Sequence, residues 1–306
     1  MAKVAVVMAV YNGERWLAEA IESVLVQTFA DFELLIHDDG STDNSLKILR
    51  DYAATDARIT VTTGTNEGLA ATLNRLIGTA RAPFLARMDA DDICLPDRFA
   101  KQVAYLDENP DCAVLGACET TIDAAGRRIA KIRVPLTHEE IDANNLRGVT
   151  SITHPTVMMR RDTVLRCGYD PTYPTSQDLD LWLRMAEIGR LANLPDIVLE
   201  FRIHGGSISG SKQDLQRQMC RRACEAAWAR RGLTGMTFDY SDWRMADTPE
   251  SRRAFHLRYG WQAWNHGYRD TWRHYALRSV ADAPLSVEAW KLLIAGAIKR
   301  PRRKGA

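Results

Sequence analysis

Apolar runs and segments of helical periodicity alternate through the first hundred residues. Residues 4–10 (VAVVMAV) form a continuous apolar run, typical of a strand that is covered on both faces. Apolar side chains then recur at helical spacing from Trp16 to Leu25, which predicts a helix. The same cycle repeats with strands at 32–38, 58–63 and 83–89 and helices at 44–53, 69–77 and 96–106. Successive strand–helix units predict an α/β fold with a doubly wound, mostly parallel sheet.

Polar residues concentrate in the loops that follow these strands, where a doubly wound sheet binds its ligands. The loops read YNGE, DDGSTDNS, TNEG and DADD. In DDGSTDNS the Asp and Asn residues can equally be turn residues and helix N-caps, so a purely structural role stays open. No GxGxxG or GxxxxGK[ST] pattern follows the first strand, so neither the usual dinucleotide fold nor a P-loop is indicated.

The DADD loop is harder to explain by structure alone. Only one of Asp89, Asp91 and Asp92 can cap the next helix, and the others repel one another unless a cation lies among them. Mg²⁺ and Mn²⁺ prefer carboxylate oxygens, and Mg²⁺ keeps water and substrate phosphates as its other ligands. The residues therefore predict a divalent metal that holds a diphosphate.

Composition limits the class of protein. A chain of 306 residues with 46% apolar content forms one large domain or one domain with an appendage. Its 40 Lys and Arg nearly balance 39 Asp and Glu, so we expect no nucleic-acid partner. The six cysteines form no CxxC pair and no signal peptide leads the chain, which predicts a cytoplasmic protein with reduced thiols. No apolar stretch reaches the ~20 residues needed to span a bilayer.

Five segments, in consistent order over roughly residues 3–210, resemble the family-2 glycosyltransferases of bacterial polysaccharide and lipopolysaccharide assembly, which have the GT-A fold. They are VVMAVYNGERWLAEAIESVLVQTFADFELLIHDDGSTDNS, TNEGLAATLNRLIGTARAPFLARMDADD, HPTVMMRR, QDLDLWLRM and FRIHGGSIS. The resemblance implies an inverting transfer of a sugar from a nucleotide-diphosphate donor to a saccharide or lipid-linked acceptor, assisted by Mg²⁺ or Mn²⁺.

The resemblance also assigns residues of the donor site. Asp38 accepts a hydrogen bond from the base, and Asp89 and Asp91 match the DxD pair, with Asp91 contacting the metal and Asp89 contacting ribose or metal. The remaining residues assigned to the nucleotide-sugar pocket are Ala9, Tyr11, Asn66 and Arg87. A carboxylate accepts from N3–H of uracil or thymine and from N1–H of guanine, so UDP, dTDP and GDP stay open, with UDP favoured.

The catalytic base implied by the resemblance is Asp178, in QDLDLWLR. Members of the family usually carry Glu before this residue, whereas this chain has Gln177, which brings no second negative charge. A structural alternative makes Asp178 a helix N-cap with Leu179, Trp182 and Leu183 buried behind it. Asp180 points to another side of a helix and is predicted to be structural.

His204 matches a family position near the metal and diphosphate, so it is predicted in both the donor and the metal site. Gly205, Gly206, Ser207 and Ser209 follow it and form a polar loop suited to closing over phosphates. A structural role is the alternative for His204, and it is favoured for His154.

Helices rich in Arg and aromatic residues follow residue 210. We therefore predict a catalytic domain at 1–210, with a nucleotide-binding half at 1–112 and an acceptor half at 113–210, and a helical extension at 211–306. Trp261, Trp264 and Tyr268 are predicted to be packing residues.

The last segment, SVEAWKLLIAGAIKRPRRKGA, carries an apolar stretch before a basic cluster. Trp290, Leu293, Ile294 and Ile298 can share one helical face. The segment is either a packed last helix with a solvated tail or a helix that contacts the inner membrane face.

Two other function classes stay open. A sugar-phosphate nucleotidyltransferase would need a Gly-rich basic loop after the first strand, where this chain has AVYNGERW. A non-catalytic sugar-nucleotide-binding protein is favoured only by Gln177.

Overall fold

The computed structural model describes residues 1–204, 213–240 and 248–298. Its strands are β1 (Val4–Val10), β2 (Phe32–Asp38), β3 (Ile59–Thr63), β4 (Phe84–Met88), β5 (Ile93–Cys94), β6 (Cys112–Asp123), β7 (Arg128–Ile132), β8 (Met158–Arg160) and β9 (Arg190–Ile203). Its helices are α1 (Leu17–Leu25), α2 (Ser45–Thr55), α3 (Leu69–Thr79), α4 (Arg98–Glu108), α5 (His138–Asn145), α6 (Arg161–Cys167), α7 (Gln177–Met185), α8 (Gln213–Arg231), α9 (Pro249–Asn265), α10 (Arg269–Asp282) and α11 (Val287–Ile298).

The four strand–helix units predicted from periodicity are confirmed. β1 and β2 have the predicted bounds, and α4 begins two residues later than predicted, at Arg98. Pro96 lies in the turn before the capping position, which Asp97 occupies. Every residue of β4 is buried, as expected of a strand covered on both faces.

The strand order is β3-β2-β1-β4-β8-β6-β9-β5. β1 pairs in parallel with β2 on one side and with β4 on the other, and β2 pairs in parallel with β3. Beyond β4 the pairs β4–β8, β6–β8 and β5–β9 are antiparallel. The chain order therefore reverses at β1, and the carboxyl ends of β1, β2 and β4 lie together at the edge where a doubly wound sheet binds ligands.

Contacts divide the described residues into two units, of which the first contains 1–119, 133–200 and 214–240. One apolar core joins α3 and α7 to the sheet, with Leu73, Leu85 and Trp182 fully or almost fully buried. A second core packs α8 on α7 through Leu179, Leu183 and the buried Cys220 and Cys224. The sequence predicts a helical extension from residue 211, whereas the structure packs α8 within the first unit.

The second unit contains 120–132, 201–204 and the helices α9 to α11. Its core joins Ile129 and Ala130 of β7 to Phe255, Tyr259 and Tyr275. Trp264 lies with its ring centroid 5.5 Å from that of Trp272, which supports the predicted packing role of Trp264. Within the described ranges, no helix combines the length and apolar character that crossing a bilayer requires.

Candidate active site

The loops after β1 and β2 are joined by reciprocal hydrogen bonds. The Asn12 side-chain oxygen accepts from the Thr42 backbone N–H at 2.8 Å, and the Ser41 hydroxyl accepts from the Asn12 N–H at 2.9 Å. The Ser45 hydroxyl accepts from the Gly13 N–H at 2.8 Å. These polar residues join the two loops. Asn44 occupies the capping position of α2 but makes no side-chain capping hydrogen bond, so the structure gives this segment a loop-joining role that the turn-and-cap interpretation did not include.

Gly40 allows the second loop to approach the loop after β3. Its φ is +76°, and a Cβ at this position would lie 2.9 Å from the backbone nitrogen of Asn66. A side chain would therefore be strained in conformation and would also collide with the neighbouring backbone. This close approach brings Asn66, whose side chain is exposed, beside the end of β2.

Asp38 and Asp39 are adjacent but differ in how their oxygens are used. Both oxygens of Asp39 accept backbone N–H groups, from Glu67 at 2.8 Å and Gly68 at 2.9 Å. Oδ2 of Asp38 accepts from the Thr63 hydroxyl at 3.0 Å, whereas its Oδ1 is buried with no hydrogen-bond partner among the described residues. A buried oxygen without a donor costs free energy, so this oxygen suits a donor on a ligand.

The other residues assigned to the nucleotide pocket lie at the same edge of the sheet. Ala9 is half-buried in β1, and Tyr11 follows β1 with an exposed side chain. Since Val10 pairs with Asp38 in the sheet register, the carboxyl ends of β1 and β2 are neighbours. Ala9, Asp38 and the loops that carry Tyr11 and Asn66 thus lie at the same edge of the sheet.

Three carboxylates gather after β4. One oxygen from each of Asp89, Asp91 and Asp92 lies within 4.8 Å of the other two. Burial raises the pKa of Asp89 to about 6, the Arg87 charge opposes this shift, and the charges of Asp91 and Asp178 add to it. Three hard oxygen donors at this spacing fit a divalent cation such as Mg²⁺ or Mn²⁺.

Two arginines fix the end of β4. Arg87 is almost fully buried and makes a two-point ion pair with Asp89. Arg98 is fully buried and donates to the carbonyl oxygens of Arg87 at 2.9 Å and Val157 at 3.0 Å. Its Nε donates to the Gln102 side chain at 3.0 Å. Arg87 therefore orients Asp89, and Arg98 holds the backbone from which the acid cluster projects.

Asp178 lies in the first turn of α7. The capping position belongs to Ser176, which has φ 59°, so the alternative that Asp178 is the N-cap is wrong. Leu179, Trp182 and Leu183 are buried as predicted. The charge of Asp178 contributes to the raised pKa of Asp89, which places the two carboxylates in one electrostatic environment.

Ser176 takes a left-handed conformation that is uncommon for residues other than glycine. Its hydroxyl lies 3.1 Å from the Cys220 sulfur on α8. This contact joins the residue that precedes α7, the helix that carries Asp178, to α8. The chain before residue 177 carries no pattern that predicts this contact.

Asp180 has the structural role that the sequence predicts. It pairs with Arg184 at 2.6 Å, and Arg184 also donates to the carbonyl oxygens of Cys167 at 2.7 Å and Gly168 at 2.8 Å. The pair therefore ties α7 to the end of α6.

A buried polar pair lies beside this site. His154 Nε2 is 2.7 Å from the Tyr169 hydroxyl, and the His154 ring contacts the Trp182 ring at a centroid distance of 5.7 Å. Burial lowers the pKa of His154 well below its usual value, and burial raises the pKa of Tyr169. His154 is thus a neutral interior residue, as its favoured structural reading predicts.

His154 is expected to make the fold acid-sensitive. The native state keeps it neutral, whereas the unfolded chain binds a proton below the usual pKa of 6.5. This contribution is complete above that pH and is lost at up to about 1.4 kcal/mol per pH unit below it. Urea unfolding at pH 6.5 and 5.5 should show a smaller loss for His154→Gln than for the unchanged chain. Tyr169→Phe keeps His154 and should keep the loss; equal losses in all three chains would contradict this account.

His204 directly follows β9 and is half-buried in the second unit. The polar loop predicted at Gly205, Gly206, Ser207 and Ser209 lies outside the described residues. The assignment of His204 to the donor and metal site therefore stays a prediction.

The chain is similar to known proteins over most of its length. The sequence model of the family described as Glycosyl transferase family 2 matches residues 5–168. The chain is 38% identical to EpsE of Bacillus subtilis over 206 residues, which cover 65% of this chain and 73% of EpsE. It is 33% identical to the O-antigen biosynthesis glycosyltransferase WbnJ of Escherichia coli, covering 68% of this chain and 82% of that protein.

Solved structures share the fold at low sequence identity. Residues 1–349 of S. aureus TarS in complex with UDP-GlcNAc superpose with a TM-score of 0.61 at 18% identity, covering 95% of this chain and 78% of that one. The mannosyltransferase PcManGT of Pyrobaculum calidifontis, in complex with GDP-Man and Mn²⁺, gives 0.55 at 17% identity, covering 96% and 79%. The predicted GT-A fold is thereby confirmed. With the family match spanning more than half of its residues, the chain belongs to glycosyl transferase family 2.

Proposed function

We propose that this glycosyltransferase moves a sugar, with inversion and with the help of a divalent cation, from a nucleotide-diphosphate donor to a saccharide or lipid-linked acceptor in cell-surface polysaccharide synthesis. One observation carries the proposal: oxygens of Asp89, Asp91 and Asp92 lie within 4.8 Å of one another at the end of β4, where the charge of Asp178 also acts on Asp89. A cation site and a separate carboxylate are the two groups that an inverting transfer needs.

The donor's base is proposed to bind at Asp38. Its buried Oδ1 lacks a donor among the described residues, and N3–H of uracil supplies one. Ala9, Tyr11 and Asn66 surround the same edge of the sheet and are proposed to hold the rest of the nucleoside. The bound nucleotides named for TarS and PcManGT carry uracil and guanine, which leaves UDP favoured and GDP open.

The acid cluster is proposed to hold Mg²⁺ or Mn²⁺ through Asp91 and Asp89, with His204 as a further contact to the metal or the diphosphate. A bound cation would offset the negative charge that develops on the leaving diphosphate. Arg87 keeps Asp89 oriented by their ion pair, so Arg87 is proposed to act on the donor through Asp89.

Asp178 is proposed to be the general base. As the acceptor oxygen bonds to the anomeric carbon, Asp178 takes its proton, and the bond to the nucleotide diphosphate breaks on the opposite face of the sugar. Gln177 adds no negative charge beside Asp178 and can donate a hydrogen bond. Gln177 therefore alters the electrostatic environment of Asp178, and Asp178 remains the proposed base.

Gln177 also favours the second candidate, a family member that binds sugar nucleotides without turning them over. A donor-hydrolysis assay separates the two, because only a catalytic chain releases nucleoside diphosphate. Membership of the glycosyltransferase family leaves no support for a nucleotidyltransferase. We propose that the chain works in the cytoplasm, at the inner membrane face.

A thermal-shift panel tests the donor site. UDP, dTDP, GDP and their sugars are added with and without Mn²⁺, because a ligand of the native state raises stability by mass action. Asp38→Asn should lower the affinity for whichever nucleotide stabilises the unchanged chain by about tenfold or more, since a charged hydrogen-bond acceptor is lost. Asp51→Asn, which removes only an exposed ion pair with Lys47 on α2, serves as the control. If the Asp38 variant binds the nucleotide as tightly as the unchanged chain, the nucleobase does not bind at Asp38.

A further inference from the structure

The last described helix, α11, has one apolar face packed in the second unit. Ala289 and Leu292 are buried. The Trp272 indole N–H donates to the Leu292 carbonyl oxygen at 3.0 Å, and Gly296 is so close to the Trp272 ring that a Cβ would overlap it. This face anchors α11 against α10.

The opposite side of α11 is also apolar but is exposed to solvent. Val287, Trp290 and Ile294 are 66%, 44% and 47% exposed, and Leu285 just before the helix is 95% exposed. Val287, Trp290 and Ile294 are spaced three and four residues apart, so they form one stripe on the helix. We call these four residues, Leu285, Val287, Trp290 and Ile294, the outer face.

Two polar groups near the outer face have partners within the same segment. The Trp290 indole N–H donates to the Pro284 carbonyl oxygen at 2.8 Å, and Lys291 pairs with Glu288 at 2.7 Å. The indole therefore presents mainly its apolar surface. Exposed apolar side chains grouped in this way on a soluble surface mark an interaction site more often than scattered ones do.

The sequence that follows α11 supplies the charge. Residues 299–306 read KRPRRKGA, with five cations and no acid. An apolar helical stripe with a tryptophan, next to a polybasic segment, has the chemistry that binds an anionic lipid surface. We propose that the outer face docks on an anionic bilayer, with α11 lying in the plane of the interface.

Other occupants of the outer face fit less well. The segment 299–306 has no large apolar side chain with which to cover it. A second copy of the chain would bring two polybasic segments together, and like charges oppose such an interface. The sequence predicts that Trp290, Leu293, Ile294 and Ile298 can share one helical face. In the structure Trp290 and Ile294 are exposed and Leu293 is half-buried, and the side chain of Ile298 lies outside the described residues.

Docking of this kind predicts how deeply the helix inserts and how salt affects binding. Apolar side chains of an interfacial helix enter about 5–10 Å into the headgroup region. The attraction of the cations falls as salt shortens the Debye length. The proposal does not depend on the catalytic one, because none of its residues belongs to the candidate active site.

Co-sedimentation of the full chain with vesicles tests the proposal. Vesicles of equal parts phosphatidylglycerol and phosphatidylcholine are compared with pure phosphatidylcholine, at low and high salt. The test variants are Trp290→Ser with Ile294→Ser, and a chain with the five cations of 299–304 changed to Gln. The control is Val26→Ser with Leu136→Ser, which removes exposed apolar residues of the first unit. A cooperative thermal unfolding transition at the temperature of the unchanged chain confirms that each variant is folded.

We expect the intact and control chains to bind the anionic vesicles at low salt and to leave them at high salt. The Trp290 and Ile294 variant should lose roughly tenfold or more in partition coefficient, and the neutralised chain at least about a hundredfold. If the Trp290 and Ile294 variant binds the anionic vesicles as well as the intact chain, the outer face is not the docking surface. A chain that stays in the supernatant, or one that instead forms a dimer lost in the Trp290 variant, would also overturn the proposal.

Discussion

Replacing Asp91 by asparagine is expected to lower donor turnover by about 100- to 1000-fold, because a weakened cation would no longer stabilise the leaving diphosphate, and losing one such electrostatic group costs about this much. The variant keeps the size of the side chain but loses the negative charge that attracts a divalent cation. Turnover is measured as release of nucleoside diphosphate over a range of Mn²⁺ concentrations, and the Mn²⁺ needed for half-maximal turnover should rise in the variant.

Asp51→Asn is the matched control for this change. Asp51 makes an exposed pair with Lys47 on α2, and such surface pairs contribute little. Its turnover and Mn²⁺ requirement should equal those of the unchanged chain. If Asp91→Asn behaves like Asp51→Asn, the acid cluster does not hold a catalytic cation.

Replacing Asp178 by asparagine is expected to lower transfer by about 10²- to 10⁴-fold, the range for a lost general base. Donor affinity should stay near that of the unchanged chain, because the base acts on the acceptor hydroxyl. The two quantities are measured separately, as single-turnover transfer and as nucleotide binding by titration.

Asp180→Asn separates this effect from damage to α7. Asp180 and Arg184 join α7 to the end of α6, so this variant should lower the melting temperature while retaining most of its transfer rate. An Asp178→Asn chain that loses donor binding as much as transfer would assign Asp178 to structure.

Local patterns in the sequence predict the parallel half of the sheet because β1 to β4 and the helices between them each repeat a short-range period. The acid cluster is predictable for the same reason: Asp89, Asp91 and Asp92 are neighbours in the chain. The carboxyl ends of parallel strands must meet at one edge, which brings Asp38 to the same site without further information.

Other features depend on contacts between distant residues. A hydrophobicity pattern does not predict that Arg98 is buried, because its side chain is charged. Arg98 and Gln102 nevertheless lie on the same face of α4 as the buried Phe99 and Val103. Their helical spacing from these apolar residues is the sequence signal that could have predicted the buried arginine. The contact of Ser176 with Cys220 joins residues 44 positions apart and has no local signature.

The packing of α8 is another result that a chain-order reading does not predict. The helix begins after the family's motifs end, yet its buried cysteines pack on the helix that carries Asp178. The extension predicted from the sequence begins at residue 211, whereas α8 belongs to the first unit of the structure. The helix that carries Asp178 therefore packs on residues that the sequence assigns to the extension.

The most direct test of the central claim is the release of nucleoside diphosphate from a panel of UDP-, dTDP- and GDP-sugars by the unchanged chain, with Mn²⁺ and with an excess of chelator. The account predicts release from at least one donor with Mn²⁺, and loss of that release in the chelator. Release that is equal in chelator and in Mn²⁺, or no release from any donor that the thermal-shift panel shows to bind, would contradict metal-dependent transfer at this site.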